Sequence, residues 1–257
     1  MTQHDGGESG PDVSLSSEAA TRVDEPPRRW QRLRAARRLL RVELYYVVTL
    51  AAFAVLTFFA YYNAYFGWDV RAARALQTFP LPGLFEFMRV VSIAGNNWKP
   101  YALTALTALL FFAFRRNSEA FGLILSAGGS GIVNRIFKAL IHRPRPDTDL
   151  AELFYGSDSY SFPSGHVTFY VCYFGFLFFV AYAILPRESR VRTAALVLCA
   201  LPVLLIGFSR VMLRAHWPSD TLGAYLLGGM WLSLSLVMYR RWKQRSSFHP
   251  GSAPVEG

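Results

Sequence analysis

Val167 to Leu185 is a run of nineteen residues without one charge. A helix rises about 1.5 Å per residue, so such a run is long enough to approach the ~30 Å hydrocarbon core of a bilayer. Within lipid every backbone polar group needs a partner inside its own segment or a closed barrel, which leaves helices for runs of this kind. Six predominantly apolar runs divide the chain: Leu44–Tyr62, Trp98–Phe114, Ala120–Leu140, Val167–Leu185, Ala194–Leu213 and Thr221–Tyr239. The expected fold is therefore all-α, a polytopic membrane protein with a six-transmembrane-helix bundle over residues 44–240. The second run is short and opens with Pro100, a residue suited to a first helical turn. The third carries "SAGGSG" at 126–131, small residues that let helices approach closely. It lacks the Lys-Ser/Thr ending of a phosphate loop and sits mid-span. Pro186 ends the fourth.

The charges fall between these runs. The net charge is +10, and 24 of the 27 basic residues are Arg. Their bunching beside apolar runs fits membrane orientation and anionic headgroups, and argues against a nucleic-acid partner. Alternate connections hold sixteen Lys and Arg: seven in Arg28–Arg41, then Arg115 and Arg116, then Arg187, Arg190 and Arg192, then Arg240, Arg241, Lys243 and Arg245. The opposite face holds Arg71, Arg74, Arg89 and Lys99, beside the polar motifs described below. The positive-inside rule puts both termini in the cytoplasm, in an inner (cytoplasmic) bacterial membrane. Residues 1–27, rich in Gly, Ser, Asp and Glu and without an apolar signal-peptide region, read as a disordered tail. Residues 28–43 read as a basic juxtamembrane segment, either a helix on the membrane surface or a plain orienting flank. Gly67–Asn97 is a connection at the interface, and 241–257 a polar tail. Cys172 and Cys199 sit inside apolar runs, as small buried hydrophobes.

Three polar stretches interrupt the apolar chain. "KALIHRPRP" closes the third span with Lys138 and Arg145. "PSGH" opens the fourth with Ser164, Gly165 and His166. "SRVMLRAHWPSD" joins the fifth to the sixth with Arg210, His216 and Asp220. Spans three and five end on the face where spans four and six begin. The topology therefore brings all three stretches to one membrane surface, the extracytoplasmic one by the arginine distribution.

Lys138, Arg145 and Arg210 would put three cations near one point. Cations at membrane depth need a partner or a cavity, and guanidinium forks match phosphate oxygens. Ser164 and Gly165 add a hydroxyl and an approachable backbone at a helix N-terminus, itself an anion site. Asp220, four residues after His216 and in the first turn after Pro218, could hold one imidazole nitrogen and leave the other free to attack phosphorus. His216 is the expected nucleophile, through a phosphohistidine. His166 is the expected acid, and then the base that activates water.

The spacing Lys138-x6-Arg145-Pro146, then Pro163-Ser164-Gly165-His166, then Ser209-Arg210-x5-His216-x3-Asp220 resembles the type-2 phosphatidic acid phosphatase family. That family is related to vanadium haloperoxidases and acid phosphatases. The resemblance covers roughly residues 44–240. It implies a six-helix membrane bundle, metal-independent chemistry without a cofactor, and a lipid phosphate as substrate. Candidates are isoprenyl diphosphates, phosphatidate, phosphatidylglycerophosphate and lipid A phosphates. Oligomeric state is unknown from sequence. Phosphotransfer to an alcohol uses the same residues. A lipid-phosphate transporter would need the cradle but neither histidine. Haloperoxidase chemistry would need bound vanadate. A zinc site from His166, His216 and Asp220 is opposed by the three cations.

Arg135, Arg143 and Arg214 also fall near the motifs. They either contact a second phosphate or headgroup, or pair with Asp147, Asp149, Glu152 or Asp158 in the adjacent loop. His142 fits no required position and reads as structural.

Overall fold

The computed structural model describes Thr2, residues 28–146 and residues 160–247. The remainder of the expected tails, 1–27 and beyond 247, and the acidic loop residues Asp147, Asp149, Glu152 and Asp158 lie outside the described residues. The chain divides into two units, Met1–Tyr45 and Tyr46–Gly257. Among its described residues the first holds the opening turns of helix α1 (Arg28–Tyr62), which takes in the basic segment. The site described below belongs wholly to the second.

The described secondary structure is all helical. After α1 come α2 (Gly67–Gln77) and α3 (Leu84–Ser92), which ends in a 3-10 turn over Ile93–Gly95. Then follow α4 (Lys99–Ala113), α5 (Asn117–Leu123), a π turn (Ile124–Gly128), α6 (Gly129–Ile141), α7 (Gly165–Ile184), α8 (Arg190–Met212) and α9 (Pro218–Ser247). Among the described residues five stretches are long and apolar enough to cross a membrane: Leu40–Tyr62, Asn117–Ile141, Gly165–Ile184, Arg190–Met212 and Pro218–Gln244. The sixth expected span is the shorter apolar helix α4, whose 15 residues reach about 22 Å. The chain is an integral membrane protein with the expected helical architecture.

Helix α7 is the centre. It is apolar on every side and packs against α6, α8 and α9, as a helix surrounded by protein should be. Val167, Tyr170, Cys172 and Phe176 are fully buried along it, and its Tyr173 hydroxyl meets that of Thr107 at 2.7 Å. The small-residue run serves packing. A Cβ on Gly129 would lie 2.6 Å from the Trp231 ring. In the π turn beside it the carbonyls of Leu125 and Ser126 both accept from the Trp231 indole at 3.1 Å.

Two boundaries differ from expectation. Residues Asn117–Ile141 span the membrane as α5, the π turn and α6 rather than as one regular helix. At the other end α9 continues to Ser247, through residues read as the start of a polar tail. Lys243 is the reason: its ammonium donates to the buried Glu119 carboxylate at 2.5 Å and to the Tyr239 hydroxyl at 3.0 Å. Trp242, one residue earlier, packs its ring against Phe121 at a tilt.

Candidate active site

The ends of α6 and α8 and the starts of α7 and α9 meet at one end of the bundle. There, Lys138, Arg145, Gly165, His166, Arg210 and His216 line one cavity of about 1050 Å³. Ser164 and Asp220 stand behind its wall, both buried. All eight expected site residues are thus gathered, six on the surface of the cavity and two supporting it.

Ser164 is the N-cap of α7 and Gly165 its first residue. The Ser164 amide donates to the Asp220 carbonyl at 3.3 Å, which ties the starts of α7 and α9 together. Its hydroxyl is buried and has no hydrogen-bond partner among the described residues. The Arg210 Nε is in the same state. Arg210 Nη1 donates to the Ser92 hydroxyl at 3.2 Å, in a chain that passes through Ser209 to the Met88 carbonyl. Arg145 Nη1 donates to the Ala215 carbonyl at 3.0 Å, and Lys138 donates to the Tyr160 carbonyl. Among the described residues a carbonyl holds Lys138 and a hydroxyl holds Arg210, with no carboxylate ion-paired to either. Burial is the main influence lowering the Arg145 pKa, with Asp220 acting the other way.

The two histidines have different supports. His166 Nε2 lies 2.7 Å from Asn96 Oδ1. An amide oxygen only accepts, so Nε2 carries a proton in this arrangement. The backbone of Gly95 approaches the same ring so closely that any Cβ there would collide with it. His216 is buried, with Nδ1 3.5 Å from Asp220 Oδ2. The expected carboxylate is therefore adjacent, but the contact is longer than a hydrogen bond. Burial, followed by the charges of Arg145, Lys138 and Arg210, pushes the His216 imidazole well below its ordinary 6.5. It is neutral at pH 7, with a lone pair on one ring nitrogen.

Asp220 is held by other donors. Its Oδ2 accepts the Trp217 amide at 2.9 Å and the Ser161 hydroxyl, and its Oδ1 accepts Arg143 Nη1 at 2.6 Å. This corrects the expectation for Arg143, which faces neither a headgroup nor the acidic loop. Its side chain is fully buried between Asp220 and Asp69, the latter at 3.1 Å. It also donates to the Ser219 hydroxyl and to the carbonyls of Asn63 and Ala64. Asp69, on α2, accepts the Ser219 amide at 2.8 Å and hydroxyl at 2.7 Å. Sequence reading missed Asp69, Ser92, Gly95 and Asn96. The available signal was weak: Asp69 is one of only two acidic residues in the connection 67–97.

The other singled-out residues separate. Arg135 lines the cavity and donates to the Tyr101 hydroxyl at 2.7 Å. His142 is the left-handed cap of α6 with its ring against Tyr160, a structural position. Arg214 takes a left-handed backbone in the turn after α8. Among the described residues no three His, Cys, Asp or Glu gather as metal ligands.

The helical bundle thus carries two histidines and three basic residues around one cavity. The chain matches the PAP2 superfamily model over residues 119–244. It is 28% identical over 176 residues to phosphatidylglycerophosphatase B of Bacillus subtilis, across 68% of this chain and 85% of that one. It is 35% identical over 119 residues to lipid A 1-phosphatase of Rhizobium etli, across 44% of this chain and 47% of that one. The crystal structure of a transmembrane PAP2-type phosphatidylglycerolphosphate phosphatase from Bacillus subtilis superposes with a TM-score of 0.66 at 26% identity, covering 76% of this chain and 96% of that one. Aquifex aeolicus LpxE shares the fold, with a TM-score of 0.50 at 23% identity over 67% of this chain and 96% of that one.

Proposed function

We propose that this protein is a membrane lipid phosphatase that works through a phosphohistidine, without a metal or cofactor. The observation that carries the reading is the cavity itself. Lys138, Arg145 and Arg210 surround it, a neutral His216 faces it, and His166 stands on the same wall. The relatives act on phosphorylated membrane lipids by their names, which supports a lipid phosphate as substrate.

In the first step the His216 nitrogen remote from Asp220 attacks phosphorus, and the ester P–O bond breaks. The departing oxygen takes the Nδ1 proton of His166, which is doubly protonated when the anionic phosphate is bound, while its Nε2–H stays on Asn96. As His216 becomes cationic, Asp220 closes the 3.5 Å gap and stabilises it. The three cations, with the Ser164 hydroxyl and the start of α7, stabilise the charge on the equatorial phosphoryl oxygens. In the second step His166 takes a proton from water, which attacks phosphorus. The P–N bond breaks, and inorganic phosphate and free His216 remain. Asn96 and Gly95 fix the His166 ring for both proton transfers.

The site opens at the extracytoplasmic face, with both termini cytoplasmic, as the arginine distribution requires. Labelling of single cysteines placed in the 115–116 and 187–192 connections, from inside and outside, tests the orientation. The activity test is phosphate release by the purified protein in excess EDTA from isoprenyl diphosphate, phosphatidate, phosphatidylglycerophosphate and lipid A, with His216→Ala alongside. Release that the variant loses supports the reading. Release that requires added metal contradicts its metal-independent part.

A further inference from the structure

The π turn and helix α6 together form a ladder along the cavity. Ile124, Ala127, Gly131, Arg135 and Lys138 recur on the cavity side at helical spacing. Lys138 stands at the phosphate end. Arg135 lies one turn deeper, about 4.5 Å along the axis, and Ile124 roughly 16 Å deeper still. Helix α4 lines the same cavity, from Tyr101 beside Arg135 to Leu109 and Phe112 about two to three turns further along. A lipid with its terminal phosphate at His216 would place its chain toward Ile124, Leu109 and Phe112. Whatever joins phosphate to chain would pass Arg135.

Arg135 is charged and unneutralised there. Among the described residues no carboxylate pairs with it. Its hydrogen-bond partner is the neutral Tyr101 hydroxyl, which accepts from Nη2. That hydroxyl in turn donates to no acceptor among the described residues, so its proton is free for a ligand. A guanidinium and a phenol proton, side by side on a cavity wall at membrane depth, form a pair of donors waiting for an anion.

We infer that Arg135 and Tyr101 form a second anion subsite that selects lipids carrying a second phosphate on the chain side of the scissile one. The inference rests on the phosphatase reading of the cavity. Two substrate classes carry that chemistry: isoprenyl diphosphates, with the two phosphates joined directly, and phosphatidylglycerophosphate, with a glycerol between them.

The test uses two matched pairs with the purified full chain: farnesyl diphosphate against farnesyl monophosphate, and phosphatidylglycerophosphate against phosphatidate of the same acyl chains. The readout is the ratio of kcat/KM within each pair. Wild type favours the two-phosphate member. Arg135→Gln lowers that ratio by about ten- to hundredfold, the range for losing a hydrogen bond to a charged group. Arg135→Lys restores part of it, and Tyr101→Phe lowers it less, in the same direction. The pair whose ratio moves identifies the source of the second phosphate. If Arg135→Gln leaves both ratios unchanged while phosphate release persists, Arg135 is a residue snorkelling at the bilayer surface and the subsite is wrong. If wild type hydrolyses none of the four lipids but releases phosphate from lipid A, the subsite is wrong and the phosphatase reading stands; if it releases phosphate from none of the five, both fall.

Discussion

Arg143 and Arg210 are both buried arginines at the same end of the bundle, yet their surroundings are opposite. Arg143 lies between two carboxylates, Asp69 and Asp220, and its remaining donors meet a hydroxyl and two carbonyls. Arg210 has a serine hydroxyl on one nitrogen, an unpartnered Nε, and Lys138 and Arg145 on the same cavity wall. One charge is neutralised by the protein. The other is held in place and left for something the protein does not supply. Position in the sequence does not distinguish them, since both belong to motif stretches. The partners do: a compensated arginine builds the fold, and an uncompensated one beside a cavity builds a site.

Removing the first kind should break the protein. Arg143→Ala leaves Asp69 and Asp220 buried without their counter-ion and should lower stability by about 3–5 kcal/mol, measured by thermal unfolding in detergent. The double variant Asp69→Asn, Arg143→Met should recover part of that loss. A double variant no more stable than Arg143→Ala would mean the pair is not what holds α2 to the start of α9.

Removing the second kind should break activity and spare the fold. Arg210→Ala should lower kcat/KM by about 10²–10³, while the melting temperature stays level or rises as a buried, uncompensated charge disappears. A large fall in melting temperature would erase the contrast with Arg143.

Asn96 sharpens the contrast between the two histidines. Asn96→Ala should lower kcat about tenfold, within the range of a proton-transfer contribution, and Asn96→Gln should not rescue it, because Gly95 fixes where the ring can sit. An unaltered kcat would remove Asn96 from the positioning of His166.

The smallest effect is on pH. The His216 pKa is depressed in the folded protein, so the unfolded chain binds a proton first as pH falls through about 6.5. The stability this group contributes is present above that pH and is lost below it, by at most about 1.4 kcal/mol per unit. His216→Gln should flatten that part of the slope in melting temperature between pH 7 and pH 5. A slope unchanged by the substitution would mean that His216 is not held neutral.

The sequence was informative where a single physical requirement dominates. Apolar runs of bilayer length announced the spans, and three motifs at spans of known direction announced that Lys138 and Asp220 would meet. It was uninformative where tertiary placement chooses the partner. Arg143 lies among acidic residues in sequence, yet it pairs with Asp69, 74 positions away. Ser92, Gly95 and Asn96 come from a connection with weak periodicity, and only the packing of α3 on α8 brings them to the site. The end of α9 was misjudged because Lys243 reads as a tail charge until Glu119, buried on α5, is seen beside it.

The most direct measurement is to quench the enzyme in mid-turnover with ³²P-labelled substrate and to map the label. A phosphoramidate on His216, stable in base and lost in acid, absent from His216→Ala and chased by water, is the expected result. Phosphate release with no labelled protein, from an enzyme that still turns over after His216→Ala, would contradict the phosphohistidine and the division of labour built around it.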